Sequence, residues 1–178
     1  MDVILDVRLN PREICTAQQK GACVMRGRIH FFTKKRVQES NARIRRELVS
    51  ALRRLGVEIG ESAGKVGSKT AVQQFVRDTI PRGRPIRLDV CYFFPFPTST
   101  PKWMLSDNSW MVENPDLDNL TKSVQDELTR LRMWYDDGQL SCVHYEKFRT
   151  TGRPRIAIRV RTMDDCLRPD IGWAAVAE

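Results

Sequence analysis

Val3, Leu5, Val7 and Leu9 alternate with more polar neighbours, the period of a half-buried strand, until Pro11 ends the run. Residues 23–32 form a second strand candidate, broken at Arg26-Gly27-Arg28, which reads as a basic turn. Over residues 34–55 the period becomes helical. Val37, Ile44, Leu48, Ala51 and Leu55 share one face, with Thr33 placed as N-cap and Gly56 as the C-terminal stop. Residues 56–85 interrupt the pattern with two glycine-bearing stretches around a helix-like segment, as expected of an insertion or mobile excursion. Ile86, Leu88, Val90, Tyr92 and Phe94 then give the clearest strand signal in the chain, and Pro95 and Pro97 stop it because proline cannot donate to a sheet ladder. Residues 98–114 read as a polar loop carrying Lys102, Trp103 and Trp110. Leu117, Leu120, Val124, Leu128 and Leu131 recur at the spacing of a buried helix stripe. Residues 140–148 and 155–162 read as two strands joined by a hairpin turn with basic residues at its tip, and from Met163 periodicity is lost.

This pattern predicts an α+β domain over residues 1–162, a two-layer arrangement of a mixed β-sheet packed against two main α-helices, with residues 163–178 as a tail. A length of 178 residues suits one core rather than two. No apolar run approaches the roughly 20 residues that span a bilayer, and the first ten residues hold Asp2 and Asp6 without a signal-peptide core, so a cytoplasmic location is expected. Five cysteines, an odd number with no C-x-x-C pair, indicate reduced thiols rather than a disulfide framework or a structural zinc site.

Charge changes the picture more. A formal charge of +8 favours a polyanionic partner, because Lys and Arg near phosphates release condensed counterions. The first helix concentrates that charge: Lys34, Lys35, Arg36, Arg43, Arg45, Arg46, Arg53 and Arg54 face only Glu39 and Glu47. Such a face is either solvated or in contact with phosphates. In so basic a chain the acidic stretch Asp116-Leu117-Asp118-Asn119-Leu120, followed by Lys122, Asp126 and Asp136-Asp137, stands out. At about 100° per residue Asp118, Lys122 and Asp126 fall within roughly 80° of one another, nearly opposite the apolar stripe, so the core does not explain them. Helix capping accounts for one acid at the helix start, and an i, i+4 ion pair accounts for Lys122. A shared cation accounts for more. Two acids at the mouth of a helix, joined by a third from the Asp136-Asp137 turn, offer the hard oxygen ligands that suit Mg²⁺, with phosphate oxygens and waters completing its sphere. Lys122 would then hold the scissile phosphate. Trp103 and Trp110, in the loop leading to this site, either stack on bases or pack over the core edge.

The same residues resemble the RusA-type Holliday junction resolvases, whose motif is an acid-x-acid-Asn-Leu helix start, a lysine and an acid further along, and an aromatic-x-Asp-Asp-x-Gln turn. Here these are Asp116-Leu117-Asp118-Asn119-Leu120, Lys122, Asp126 and Trp134-Tyr135-Asp136-Asp137-Gly138-Gln139. The likeness is close over residues 86–162, including a lysine in the strand after the turn, Lys147, and looser over residues 26–55. It implies a homodimer, phage or prophage encoded, that binds four-way DNA junctions and nicks two strands symmetrically with Mg²⁺, for which Mn²⁺ could substitute. By motif position Asp116, Asp118 and Asp137 are the metal carboxylates, Asp136 a supporting acid, and Lys122 the catalytic lysine. Arg26, Arg28, Lys34, Lys35, Arg45, Arg46, Lys147 and Arg153 are the expected DNA contacts. The chain departs from the pattern at Val112-Glu113-Asn114-Pro115, where basic residues are common. Two other readings share these features: a nuclease of flaps or forks, and a basic nucleic-acid-binding protein whose acids only cap and turn.

Overall fold

β4 (Ile86–Pro95) is the strand around which the sheet is built, because its strict alternation buries one face completely and leaves the other half-buried. The computed structural model describes residues 2–15, 20–25, 28–33, 35–57, 80 and 82–163. Among them the other elements are β1 (Asp2–Val7), β2 (Lys20–Met25), β3 (Arg28–Thr33), α1 (Lys35–Arg54), β5 (Ser109–Trp110), α2 (Leu117–Arg130), β6 (Leu140–Thr150) and β7 (Arg155–Thr162). Residues 58–79 of the expected excursion and 164–178 of the expected tail lie outside the described residues.

The main sheet has the order β1-β7-β4-β6-β5, and β2 and β3 form a separate antiparallel pair, the expected basic turn at residues 26–27 lying outside the described residues. The α+β class and the mixed sheet follow the sequence pattern. One strand pairing does not. β6 and β7 are not a hairpin, because β4 lies between them, parallel to β6 and antiparallel to β7. Alternation reports which side chains face the core but not which strand lies alongside, and a strand as apolar as β4 takes a central place. The loop between β6 and β7 therefore crosses the proline-terminated end of β4, where buried Arg149 donates from Nη1 to the Pro95 carbonyl at 2.8 Å.

Both helices lie on the buried face of the sheet. Ile44, Leu48 and Leu52 of α1 and Leu120, Val124 and Leu128 of α2 join Leu5, Val90, Phe94 and Ile158 in one core. Full burial of each such side chain stabilises by roughly 1.5–3 kcal/mol, so truncating Leu48 or Leu120 should cost about 2–5 kcal/mol. Thr33 is the last residue of β3 rather than a cap. Gly56 does end α1: at φ +80° it lets Val57 N–H reach the Leu52 carbonyl and its own N–H reach Arg53. α2 ends in the same way with Arg132 at φ 61°, its N–H donating to Thr129 and that of Met133 to Leu128. That reversal folds the following Trp134 back onto the helix. The opposite face of the sheet carries no helix among the described residues.

The partly buried thiols Cys15, Cys91 and Cys142 are free. Burial, reinforced by Glu146, pushes Cys91 up to about 11, so it is protonated and unreactive at neutral pH. No helix among the described residues is long and apolar enough to cross a membrane.

Candidate acidic cleft along the second helix

α2 presents its polar face to a cleft of about 790 Å³ lined by Asp118, Asn119, Lys122, Gln125, Asp126 and Thr129, with Asp137 at one end and Val143 and Tyr145 of β6 opposite. The helical spacing puts Asp118, Lys122 and Asp126 together as expected. Lys122 is exposed and lines the cleft, and among the described residues it makes no ion pair with Asp118 or Asp126.

At the start of α2, Asp116 occupies the N-cap position, but its side chain makes no capping hydrogen bond. Its Oδ2 instead accepts a long contact from Asn119 Nδ2 at 3.4 Å, and the residue is exposed beside the cleft rather than within its lining. The chain entering this turn is tied to β6. Lys147 donates from Nζ to the Glu113 carbonyl at 2.7 Å and the Pro115 carbonyl at 3.0 Å. The Glu113 carboxylate pairs with Arg149 at 2.9 Å. The Asn114–Pro115 peptide is cis. Glu113 thus braces the loop that delivers Asp116.

The other end is built by the turn after α2. Asp136 closes a capping box: its Oδ1 accepts from Gly138 N–H at 2.7 Å, and Gln139 Oε1 accepts from the backbone of Tyr135 at 2.9 Å and of Asp136 at 3.3 Å. A Cβ on Gly138 would lie 3.0 Å from that Oδ1, a tight contact, so a larger residue there would press on the box. Asp136 is thereby engaged in structure, while Asp137 points into the cleft. Its Oδ1 accepts from the Thr129 hydroxyl at 2.7 Å and the Trp134 indole N–H at 3.0 Å. These bonds, Thr129 first, hold the Asp137 carboxyl below the usual carboxylate range against a smaller opposing effect of burial.

The expected meeting of three carboxylates in front of the helix is not what the chain forms. Asp137 is fastened to Thr129, three turns beyond Asp118 and roughly 16 Å further along the axis. Among the described residues no three His, Cys, Asp or Glu side chains group as a ready-made metal centre. The donor chemistry nevertheless fits a hard cation. Mg²⁺ needs only one or two protein carboxylates when waters and phosphate oxygens fill its other positions, and Asp118, Asp126 and Asp137 all offer carboxylate oxygen to the cleft.

Sequence reasoning missed Thr129, Gln125 and Tyr145. The first two were accessible to it, since they continue the Asp118-Lys122-Asp126 stripe at helical spacing; Tyr145 comes from β6, which no helix pattern could supply. Of the expected DNA contacts, Arg45 is committed elsewhere: it and Arg130 clamp the fully buried Glu127 at 2.7 Å each, pinning α1 to α2. Lys35 pairs loosely with Glu39 at 3.8 Å, whereas Arg46 and Arg153 are exposed. Lys147 is engaged with backbone as described. Arg26, Lys34 and the side chain of Arg28 lie outside the described residues. Trp103 and Trp110 are 79% and 68% exposed, so neither packs over the core edge. Trp110 packs tilted against Phe148 with ring centroids 4.7 Å apart, and Phe148 stacks on Phe93, on the helix-free face of the sheet.

Fold and cleft together define an α+β protein that lines one cleft with the carboxylates of Asp118, Asp126 and Asp137 and with Lys122, in a basic chain. The family described as Endodeoxyribonuclease RusA matches residues 65–161, a span that begins inside the 56–85 stretch and includes the whole cleft. The crossover junction endodeoxyribonuclease rusA of Lactococcus phage r1t is 35% identical over 63 residues, which are 35% of this chain and 44% of that protein. The match thus spans less than half of that relative's length. This chain belongs to the RusA family.

Proposed function

We propose that the chain is a Mg²⁺-dependent endodeoxyribonuclease that binds four-way DNA junctions as a homodimer and resolves them by paired symmetric nicks in recombination and repair, in a phage or prophage setting. The observation that carries this reading is the cleft, where Asp118, Lys122, Asp126 and Asp137 share one lining in a family of endodeoxyribonucleases. The name of the phage relative supports the junction as substrate. A divalent cation bound here would stabilise charge on the phosphodiester and supply a nucleophilic water.

The residues of the chain divide the remaining work. Asp118, with Asp116 at the cleft margin, and Asp137 about three turns away present carboxylate oxygens at the two ends of the cleft and repel phosphate until cation binding there neutralises them. Lys122, free of those carboxylates, offers its ammonium to a non-bridging phosphate oxygen and to the charge that develops there. Exposed Arg46 and Arg153 draw the backbone in through counterion release. Two-fold symmetry suits the substrate, since a four-way junction presents paired phosphates and a symmetric dimer presents two clefts.

The test is to incubate the purified protein with Mg²⁺ and labelled four-way, flap and linear duplex DNA, with mass measured by light scattering. Symmetric nicks confined to the four-way junction by a dimeric species are expected. Cleavage of flaps would transfer the activity to a broader nuclease, and binding without any cut would overturn the enzyme reading.

A further inference from the structure

Asp137 is the carboxylate that the sequence placed furthest from the helix start, and it is also the one whose geometry is fixed from outside. Three polar atoms close a triangle beneath it: Thr129 Oγ1 to Asp137 Oδ1 at 2.7 Å, Trp134 Nε1 to Asp137 Oδ1 at 3.0 Å, and Trp134 Nε1 to Thr129 Oγ1 at 3.1 Å. The hydrogen accounting permits one arrangement. The indole N–H can only donate, so it is shared between the two oxygens, and the threonine hydroxyl must give its single hydrogen to the carboxylate. The Trp134 ring is 1% exposed, and its N–H has to find an acceptor where it lies. Both donors converge on Oδ1, and Oδ2 has no protein partner among the described residues.

We propose that Thr129 and Trp134 are positioning residues which hold Oδ1 of Asp137 so that Oδ2 is presented to the cleft as the cation-binding oxygen. This rests on the reading of Asp137 as a metal carboxylate. Neither residue touches the reacting atoms. Thr129 stands on the same face of α2 as Asp118 and Lys122, so the triangle indexes the turn carboxylate to the helix that carries the other charged groups. Trp134 reaches the triangle only because the chain reverses at Arg132. Outer partners of this kind fix the orientation of a ligating group, and their loss typically lowers metal affinity by about 10–100-fold.

The experiment measures Mn²⁺ binding to the DNA-free full chain by calorimetry, alongside junction binding in EDTA. It compares wild type with Thr129→Val, which keeps the shape and loses the hydroxyl, and Thr129→Ser, which keeps the hydroxyl. The expected result is a loss of about 10–100-fold in Mn²⁺ affinity for Thr129→Val, substantial rescue by Thr129→Ser, and unchanged junction binding in EDTA. Wild-type affinity in Thr129→Val, or no rescue by serine, would overturn the inference. Asp137→Asn separates it from the reading beneath it: if that variant binds Mn²⁺ as well as wild type does, Asp137 is no ligand and both fall. Should Thr129→Val fail to fold, the wild-type protein still decides. With ¹⁵N-indole labelling, and Trp134→Phe to assign the peak, the Trp134 N–H resonance should move on titration with Mg²⁺; a stationary resonance would contradict the proposal.

Discussion

Arg45 and Arg46 are sequence neighbours on one helix with different work. Arg45 Nε lies 2.7 Å from the carboxylate of Glu127, which has no exposure to solvent, and Arg130 holds the other oxygen. Removing one partner of a buried ion pair leaves charge uncompensated, so Arg45→Ala should cost about 2–4 kcal/mol in denaturant unfolding, the surviving Arg130 keeping the loss below the worst cases. Arg46→Ala should leave unfolding unchanged and lower the slope of log K against log salt for junction binding by about 1. If Arg45→Ala unfolds like wild type and instead flattens the salt slope, the assignment is reversed. The helix pattern placed both on a polar face but could not show that a carboxylate from a second helix would close over one of them. Asp137 allows a test by pH at the same scale. Its bonds from Thr129 and Trp134 favour the ionised form and depress its pKa below the usual 3.8. The stability they add is therefore complete above that value and is lost as pH falls through the lower folded value. The melting-temperature gap between wild type and Thr129→Val should stay constant from about pH 7 to 5 and narrow below about pH 3.8.

At the scale of elements, the two ends of α2 are set by different neighbours. The N-terminal end is tied to β6 through Lys147, whose ammonium bridges two carbonyls on either side of Asn114, and the C-terminal end is tied to its own following turn. Lys147→Met should therefore reduce the rate of nicking more than it reduces junction affinity, because the loop delivering Asp116 is loosened while the DNA-binding charge changes little. A lysine that served the DNA backbone would show the reverse, lower affinity and a shallower salt slope with the bound complex cut at the normal rate. Periodicity made β1, β4, α1 and α2 legible almost to their ends, since each has one face buried and the other polar. It failed where the controlling information lay in another element. The insertion of β4 between β6 and β7 depends on edge pairing, which side-chain alternation does not encode. The short β5 has only Ser109 and Trp110 to declare itself. The motif singled out Asp116, Asp118 and Asp137, but the separation of Asp118 and Asp137 along α2 follows from helix rise together with the Thr129 bond, and that bond requires the reversal at Arg132.

For the whole molecule, the sheet divides two surfaces. Its helix-covered side carries the acidic cleft between α2 and β6, and its other side presents half-buried Arg87, Arg155, Arg159 and Arg161 with the Trp110-Phe148-Phe93 stack. A chain with +8 formal charge that still concentrates exposed acids along one helix would gather phosphate broadly and repel it locally, so on the proposed function cation loading would be the step that converts binding into cutting. On the proposed function, binding and cutting are separated by the cation, as they would not be in a non-catalytic DNA-binding protein. The most direct measurement compares wild type, Asp118→Asn and Asp137→Asn on a labelled four-way junction, with affinity read in EDTA and nicking read in Mg²⁺. Both variants should bind at least as tightly as wild type, since each removes a negative charge facing phosphate, and should lose nicking by about 100-fold or more, the scale of losing a main electrostatic contributor to the transition state. Nicking at wild-type rates by both variants, with binding unchanged, would contradict the assignment of this cleft as the active site.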